Sequence, residues 1–132
     1  MDYIEKIEEM VRVVYMTLGP GYTESVYDKA VQIELRHSGM RFESQKVVEV
    51  KYEGQFCGYT FLDLLVSHED LSGVDDLIIE FKATSSDLGY AEEEQLKSYM
   101  NNLNVKKGLL VNFKQSGKTK ESYGVEIKRV FL

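Results

Sequence analysis

Apolar residues at the start of the chain recur every three or four positions, and they are Ile4, Ile7, Val11, Val14 and Leu18. This spacing predicts an amphipathic helix, because positions three and four apart lie on one side of a helix. The Gly-Pro-Gly sequence at 19–21 follows directly and predicts that the helix ends there.

A second helix is predicted over 22–38, with Thr23 as its candidate N-cap and Gly39 just after its end. Its apolar stripe is expected to consist of Val26, Ala30 and Ile33, with Tyr27 and Val31 beside it. Both helices would then present one apolar side to a common core.

Beyond residue 40, β-branched and aromatic residues dominate several short segments. In chain order we expect strands at 42–52, 56–66 and 77–83, a helix at 90–103, and strands at 105–113 and 124–131. The order ααβββαββ predicts an α/β fold with a mixed sheet flanked by helices. No internal repeat or Pro/Gly-rich linker interrupts the chain, so residues 1–132 are expected to form one domain.

Two charged residues lie in the apolar segment predicted to form the third strand. Glu80 and Lys82 are two positions apart, so their side chains point to the same face as that of Ile78. A strand that is apolar on both faces is typical of the buried centre of a sheet. Charges placed there need a partner or a metal ion, so this pair is a candidate site.

Asp63 and Glu24 are similarly placed among apolar residues. Asp63 lies in the apolar run of the second predicted strand, and Glu24 is three residues before Tyr27 on the second helix. Two inward carboxylates and Lys82 on adjacent strands predict either a structural salt-bridge cluster or a metal site. Glu24 could simply complement the positive end of the helix dipole instead.

Gln95 and Tyr99 form an i, i+4 pair that borders the apolar stripe of the third helix. Both side chains can form hydrogen bonds, so they are candidate polar groups near a site. The alternative is that Tyr99 belongs to the core and Gln95 to its rim.

Charge is unevenly distributed along this chain of net charge −6. Residues 105–132 hold seven Lys and Arg against two Asp and Glu. These basic residues are Lys106, Lys107, Lys114, Lys118, Lys120, Lys128 and Arg129. The basic segment could contact a phosphate backbone, or it could be a solvated surface without a partner.

Cys57 is the single cysteine, which excludes an internal disulfide and fits a reducing compartment. No apolar run reaches the roughly 18 residues that a membrane helix needs. The acidic, amphipathic N-terminus is unlike a signal peptide. A cytoplasmic location without membrane contact is therefore expected.

A family resemblance joins these features. GYTESVY at 21–27 matches the G-x-x-E-x-x-Y signature that names the GxxExxY protein family. Further matching strings follow in the family's order: DLLV at 63–66, EFKA at 80–83, QLKSY at 95–99 and GLLVNF at 108–113. That family is similar to the PD-(D/E)XK phosphodiesterase superfamily, particularly its RecB-like nucleases. The resemblance covers nearly the whole chain and implies a restriction-endonuclease-like fold.

The resemblance also implies an Mg²⁺- or Mn²⁺-dependent nuclease that acts on DNA or RNA. By this likeness Asp63 and Glu80 would bind the ion directly, with the backbone carbonyl of Phe81 as a further ligand. Glu24 would bind through water or hold a second ion. Lys82 would orient or deprotonate the attacking water and offset charge on the phosphate.

The remaining assignments concern substrate contacts. Gln95 and Tyr99 would steady the site or contact the nucleic-acid backbone. The candidate substrate-binding lysines are Lys106, Lys107 and Lys114. Two stretches differ from the family pattern: a longer acidic segment before the third strand, and Glu92, Glu93 and Glu94 where relatives often place a histidine.

An alternative is a non-catalytic module that binds nucleic acid or protein on a nuclease-like fold. The acidic first part of the chain and its short length, which leaves little room for a recognition element, motivate this alternative. A small nuclease often needs a second surface to hold a duplex, so a homodimer or larger complex is compatible with the sequence.

Overall fold

The structure is a computed structural model that describes residues 2–67, 76–115 and 124–132. Its helices are α1 (Tyr3–Leu18), α2 (Glu24–His37) and α3 (Tyr90–Leu103). Its strands are β1 (Arg41–Tyr52), β2 (Gln55–Ser67), β3 (Leu77–Lys82), β4 (Lys107–Phe113) and β5 (Val125–Phe131). The predicted order ααβββαββ is confirmed. The acidic segment at 68–75 and the lysines Lys118 and Lys120 lie outside the described residues.

The strands form one mixed sheet in the order β1-β2-β3-β4-β5. The first three strands are antiparallel neighbours, β3 and β4 are parallel, and β5 is antiparallel to β4. A parallel pair needs a crossover, and α3 supplies it between β3 and β4. The central strand β3 is buried at every residue except Lys82, which is half-buried.

The helices cover both faces of the sheet. One core lies between the sheet and α1 with α2, and it contains Ile79 and Phe81 of β3. The other core lies between the sheet and α3, and it contains Ile78. The alternation expected for β3 is therefore present, and it places Glu80 on the face that α3 covers. None of the helices in the described ranges is long and apolar enough to cross a membrane.

The apolar stripe predicted for α2 is wrong. Tyr27, Val31 and Leu35 are fully buried, whereas Val26 and Ile33 are 40% and 48% exposed. Helical spacing allows either set, because α2 carries apolar residues on two sides. The orientation that the helix adopts buries the larger aromatic ring, which stacks on a phenylalanine of β4 with centroids 4.3 Å apart.

The side-chain alternation of β1 and β2 reverses midway along both strands. On β2, Leu62 packs under α3, but Leu64, two residues later, packs under α1 and α2. On β1, Phe42 packs on the side of α1 and α2, and Val48 packs under α3. Residues an even number apart share a face in a regular strand, so each strand changes face once.

The reversal occurs at Gln45 and Asp63, which lie opposite each other. Pairs on both sides of them keep one register, so neither strand gains a residue there. Gln45 has a φ of 55°, in the left-handed region that residues other than glycine seldom adopt. The reversal interrupts the ladder at Asp63 and leaves its backbone N–H free to bond a side chain instead.

Beyond the reversal, the β1–β2 hairpin leaves one apolar face uncovered. Val47, Phe56, Tyr59 and Phe61 are 47% to 61% exposed there. The opposite face of the hairpin packs under α3 through Val48. A bulge near the hairpin tip brings the rings of Phe56 and Tyr59 to 4.9 Å, although they are three residues apart.

Candidate active site

The candidate site begins where the pairing of β2 with β3 ends, at Leu64 and Ile79. At the next position of the two strands, side-chain carboxylates accept the hydrogen bonds in place of backbone carbonyls. The N–H of Asp63 donates to Glu80 Oε1 at 2.8 Å, and the N–H of Phe81 donates to Asp63 Oδ2 at 2.8 Å. These two bonds hold the carboxylates of Asp63 and Glu80 side by side at the end of the paired segment.

The electrostatics of this carboxylate pair are unfavourable. Glu80 is only 7% exposed. Its burial first, and then the negative charge of Asp63, raise the pKa of Glu80 to about 8. The hydrogen bond from the Asp63 backbone and the nearby Lys82 ammonium oppose that rise. A cation beside the pair would favour the ionised form of Glu80, because it would offset both causes.

Glu24 and Lys82 join this site from a helix and a strand. Glu24 is the first residue of α2, and Lys82 is the last residue of β3. Burial raises the pKa of Glu24, while the charge of Lys82 opposes the shift and that of Asp63 adds to it. The charges of Asp63 and Lys82 therefore act on both Glu24 and Glu80, which links the four residues singled out from the sequence.

A cavity of about 280 Å³ opens between α2 and the reversal in β1 and β2. Its lining residues are Glu24, Ser25, Asp28, Lys29, Gln32, Ser44, Gln45 and Asp63. The volume equals that of roughly nine waters in the liquid, so a hydrated ion would fit. The cavity gives solvent access to the site from the side of α2.

Two polar residues of α2 belong to this site and were missed from the sequence. Asp28 and Gln32 are 7% and 6% exposed, and Gln32 Nε2 donates to Asp28 Oδ1 at 2.8 Å. Burial raises the pKa of Asp28, the bond from Gln32 opposes the shift, and the charge of Asp63 adds to it. Their i+4 and i+8 spacing from Glu24 was the available signal, because it places all three on one side of the helix.

The other predicted helix pair lies outside the cavity. Tyr99 is buried under the sheet, and its hydroxyl lies 3.5 Å from Thr60 Oγ1, three residues before Asp63. The two line a separate cavity of about 230 Å³ between β1 and α3. Gln95 is exposed on α3. The roles assigned to Gln95 and Tyr99 stay predictions.

The predicted substrate lysines are spread over the sheet. Lys107 pairs with Leu77 at the start of β3, five positions from the pair that contains Lys82. At about 3.3 Å per residue, Lys107 thus lies roughly 17 Å along the strands from that end, and Lys106 lies one residue further away. Lys114 is at the site's end of β4, and its ammonium forms an ion pair with Asp87.

The donor set suits a hard divalent cation. Carboxylate and carbonyl oxygens are the ligands that Mg²⁺ and Mn²⁺ prefer, and Mg²⁺ keeps several waters when two carboxylates bind it. Asp63 and Glu80 would hold the ion, with the backbone carbonyl of Phe81, the residue after Glu80, as a further ligand. As the side chains stand, no group of three or more His, Cys, Asp or Glu residues within the described ranges is close enough to hold a metal ion.

Comparison with known proteins identifies the family. The model of the PD-(D/E)XK nuclease superfamily matches residues 1–130, nearly the whole chain. No curated protein matches the sequence.

Two solved structures resemble the fold. The crystal structure of SSO0001 has a TM-score of 0.57 and 16% identity over 82% of this chain and 50% of that one. The alkaline exonuclease LHK-Exo from Laribacter hongkongensis has a TM-score of 0.53 and 11% identity over 99% of this chain and 71% of that one. The chain thus spans half the length of SSO0001. At these identities the likeness concerns the fold alone.

Proposed function

The chain belongs to the PD-(D/E)XK nuclease superfamily, and from this membership we propose that it is a metal-dependent phosphodiesterase that hydrolyses DNA or RNA. One observation carries the proposal. Asp63 and Glu80 are held side by side, with Lys82 on the same strand as Glu80. Two adjacent, partly desolvated carboxylates oppose folding, so their arrangement favours a role in binding a cation.

Each residue has a role in this proposal. Asp63 and Glu80 bind Mg²⁺ or Mn²⁺, with the Phe81 carbonyl as a further ligand. Lys82 holds the attacking water through its ammonium group and offsets negative charge on the phosphate. Glu24 contacts the ion through water from the side of α2. The bound ion would lower the pKa of the attacking water and stabilise charge that develops on the phosphoryl oxygens.

A second candidate is a nucleic-acid-binding module without catalysis. The position of the lysines favours it, because Lys106 and Lys107 lie at the far end of β4 and Lys114 is paired with Asp87. A duplex held by the first two lysines would contact a different part of the sheet from Asp63.

Calorimetric titration tests the metal site. Mn²⁺ is titrated into the wild-type protein and into Asp63→Asn, which keeps an acceptor for the Phe81 N–H but loses the charge. We expect binding to the wild type and at least tenfold weaker binding to the variant. Glu9→Gln, which neutralises an exposed carboxylate on α1, should bind like the wild type. Equal binding by Asp63→Asn and wild type would refute the site.

A cleavage panel separates the two candidates. Circular, linear and single-stranded DNA and single-stranded RNA are incubated with the protein and Mn²⁺ or EDTA. Cleavage that disappears with EDTA and in Lys82→Ala supports the phosphodiesterase. Binding of the nucleic acid by the protein without cleavage supports the binding module.

Three finer expectations stay predictions. They are membership of the GxxExxY family, a cytoplasmic location, and a homodimer or larger complex. The nature of the ion, Mg²⁺ or Mn²⁺, belongs with the proposal above.

A further inference from the structure

The turn between α1 and α2 determines where Glu24 lies, because Glu24 is the first residue after it. This turn is bonded to the fully buried side chain of Tyr27. The hydroxyl of Tyr27 donates to the carbonyl of Gly19 at 2.6 Å and accepts from the N–H of Tyr22 at 3.4 Å. Tyr27 therefore contacts the turn at both of its ends.

The side chain of Gln115 holds the same turn from the opposite direction. Its Oε1 accepts from the N–H of Gly21 at 2.8 Å, and its Nε2 donates to the hydroxyl of Tyr27 at 3.1 Å. The carboxamide thus bonds the turn through its oxygen and Tyr27 through its nitrogen, and Nε2 also donates to the carbonyl of Phe113 at 2.8 Å. Gly21 has a φ of 109°, a conformation that favours glycine.

Gln115 is also hydrogen-bonded to the chain at the strand ends of the site. Its N–H donates to the carbonyl of Thr84 at 3.1 Å, and the N–H of Thr84 donates to Asn112 Oδ1 at 3.1 Å. Thr84 is two residues after Lys82, and Asn112 pairs with Lys82 in the sheet. A continuous path of hydrogen bonds therefore joins the turn before Glu24 to the strand ends beside Lys82.

We propose that Gln115 and Tyr27 are positioning residues that hold the start of α2, so that Glu24 stays beside Asp63 and Lys82. The inference rests on the proposed function, because it assigns the turn a purpose in the metal site. It explains why a glutamine outside the GYTESVY segment contacts that segment through both groups of its carboxamide. As positioning residues, neither would contact the ion or the substrate.

Amide hydrogen exchange tests the positioning without any metal. Tyr27→Phe keeps the stacked ring and removes the hydroxyl, and Gln115→Met keeps the length and removes all three bonds of the carboxamide. We expect exchange at Gly21, Val26 and Tyr27 to become at least tenfold faster in both variants, with α3 unchanged. The matched control is Tyr15→Phe, which removes a hydroxyl bonded to the Lys114 carbonyl rather than to the turn.

Mn²⁺ titration of the same variants then tests whether the position of the turn matters for binding of the ion. Both should bind about tenfold more weakly than wild type at a temperature where all are folded. In a Glu24→Gln background, Gln115→Met should cause no further loss, because it acts through Glu24.

Unchanged exchange in α2, or faster exchange with unchanged Mn²⁺ affinity, would overturn the inference. A wild-type protein that binds no Mn²⁺ would instead overturn the proposed function, and the exchange rates would still decide whether these residues hold the turn.

Discussion

Two glutamates of this protein are almost equally buried but have opposite surroundings. Glu8 on α1 is 8% exposed, and Glu80 on β3 is 7% exposed. Both oxygens of Glu8 accept from the guanidinium of Arg129, at 2.7 and 3.0 Å, which ties α1 to β5. Glu80 instead has the carboxylate of Asp63 as its neighbour.

The difference separates a structural role from a functional one. A buried carboxylate with a bidentate guanidinium partner has its charge compensated within the chain. Glu80 lacks such compensation, because Lys82 opposes its pKa shift without reversing it. An arrangement that destabilises the fold is typical of an active site, where an ion or substrate supplies the missing charge.

The largest expected difference between the two glutamates is in catalysis. Glu80→Gln should lower metal-dependent cleavage by about 1,000-fold or more, because loss of a ligand removes about 4 kcal/mol of transition-state stabilisation. Glu8→Gln should cleave at nearly the wild-type rate. Single-turnover cleavage of a labelled strand measures both. Similar cleavage rates for the two variants would contradict a functional role of Glu80 that Glu8 does not share.

The next effect is on the pH dependence of stability. The pKa of Glu80 is about 8 in the folded state and 4.5 in the absence of the fold. Between these values the folded chain holds a proton that the unfolded chain releases, so the free energy of unfolding falls as pH rises. The slope approaches about 1 kcal/mol per pH unit, and the total is on the order of a few kcal/mol by pH 8.

Urea unfolding in EDTA from pH 5 to pH 8.5 measures this dependence. Glu80→Gln should flatten the profile and should be more stable than wild type at pH 8. The profile of Glu8→Gln should keep the wild-type slope. A wild-type profile that rises over this range would contradict the assignment of Glu80.

A smaller effect is expected from the ion itself. Mn²⁺ at 100 times its dissociation constant should raise the free energy of unfolding by about 3 kcal/mol. The rise should persist in Glu8→Gln and fall by about half or more in Asp63→Asn, since only the latter changes the carboxylate pair. Thermal unfolding with Mn²⁺ or EDTA tests this. A shift of equal size in Asp63→Asn would place the ion elsewhere.

The smallest effect is the loss of the compensated pair. Glu8→Gln should lower the free energy of unfolding by about 1 to 2 kcal/mol, because hydrogen bonds to a charged group are lost. The loss stays modest since the side chain of Arg129 is 36% exposed and its guanidinium can regain water. Urea titration at pH 7 measures it. A loss above about 4 kcal/mol would mean that Arg129 becomes buried without a partner.

The sequence was sufficient to predict the elements and to single out the two carboxylates that lie side by side in the structure, because those signals are local. The apolar run around Glu80 and Lys82 indicates a central strand, and alternation within it correctly places Glu80 with Ile78. The superfamily membership implied by the GYTESVY, DLLV and EFKA strings is likewise confirmed.

The parts that sequence reasoning did not reach depend on tertiary contacts. Asp28 and Gln32 look like ordinary polar positions of a helix until α2 is oriented. That orientation is determined by the stacking of Tyr27 on Phe113, which no spacing rule reveals. The side of the sheet on which Asp63 lies could not be predicted either, because the alternation of side chains fails at that residue.

The reversal at Gln45 and Asp63 also limits how this hairpin could change during evolution. Deletion of Leu62, the residue just before Asp63, would turn Phe61 and Tyr59 toward α3 and Thr60 away from it. A matching deletion in β1 would be needed to restore the pairing. Length changes in β1 and β2 should therefore survive selection only in pairs, or near the hairpin tip, where the bulge already absorbs an irregularity.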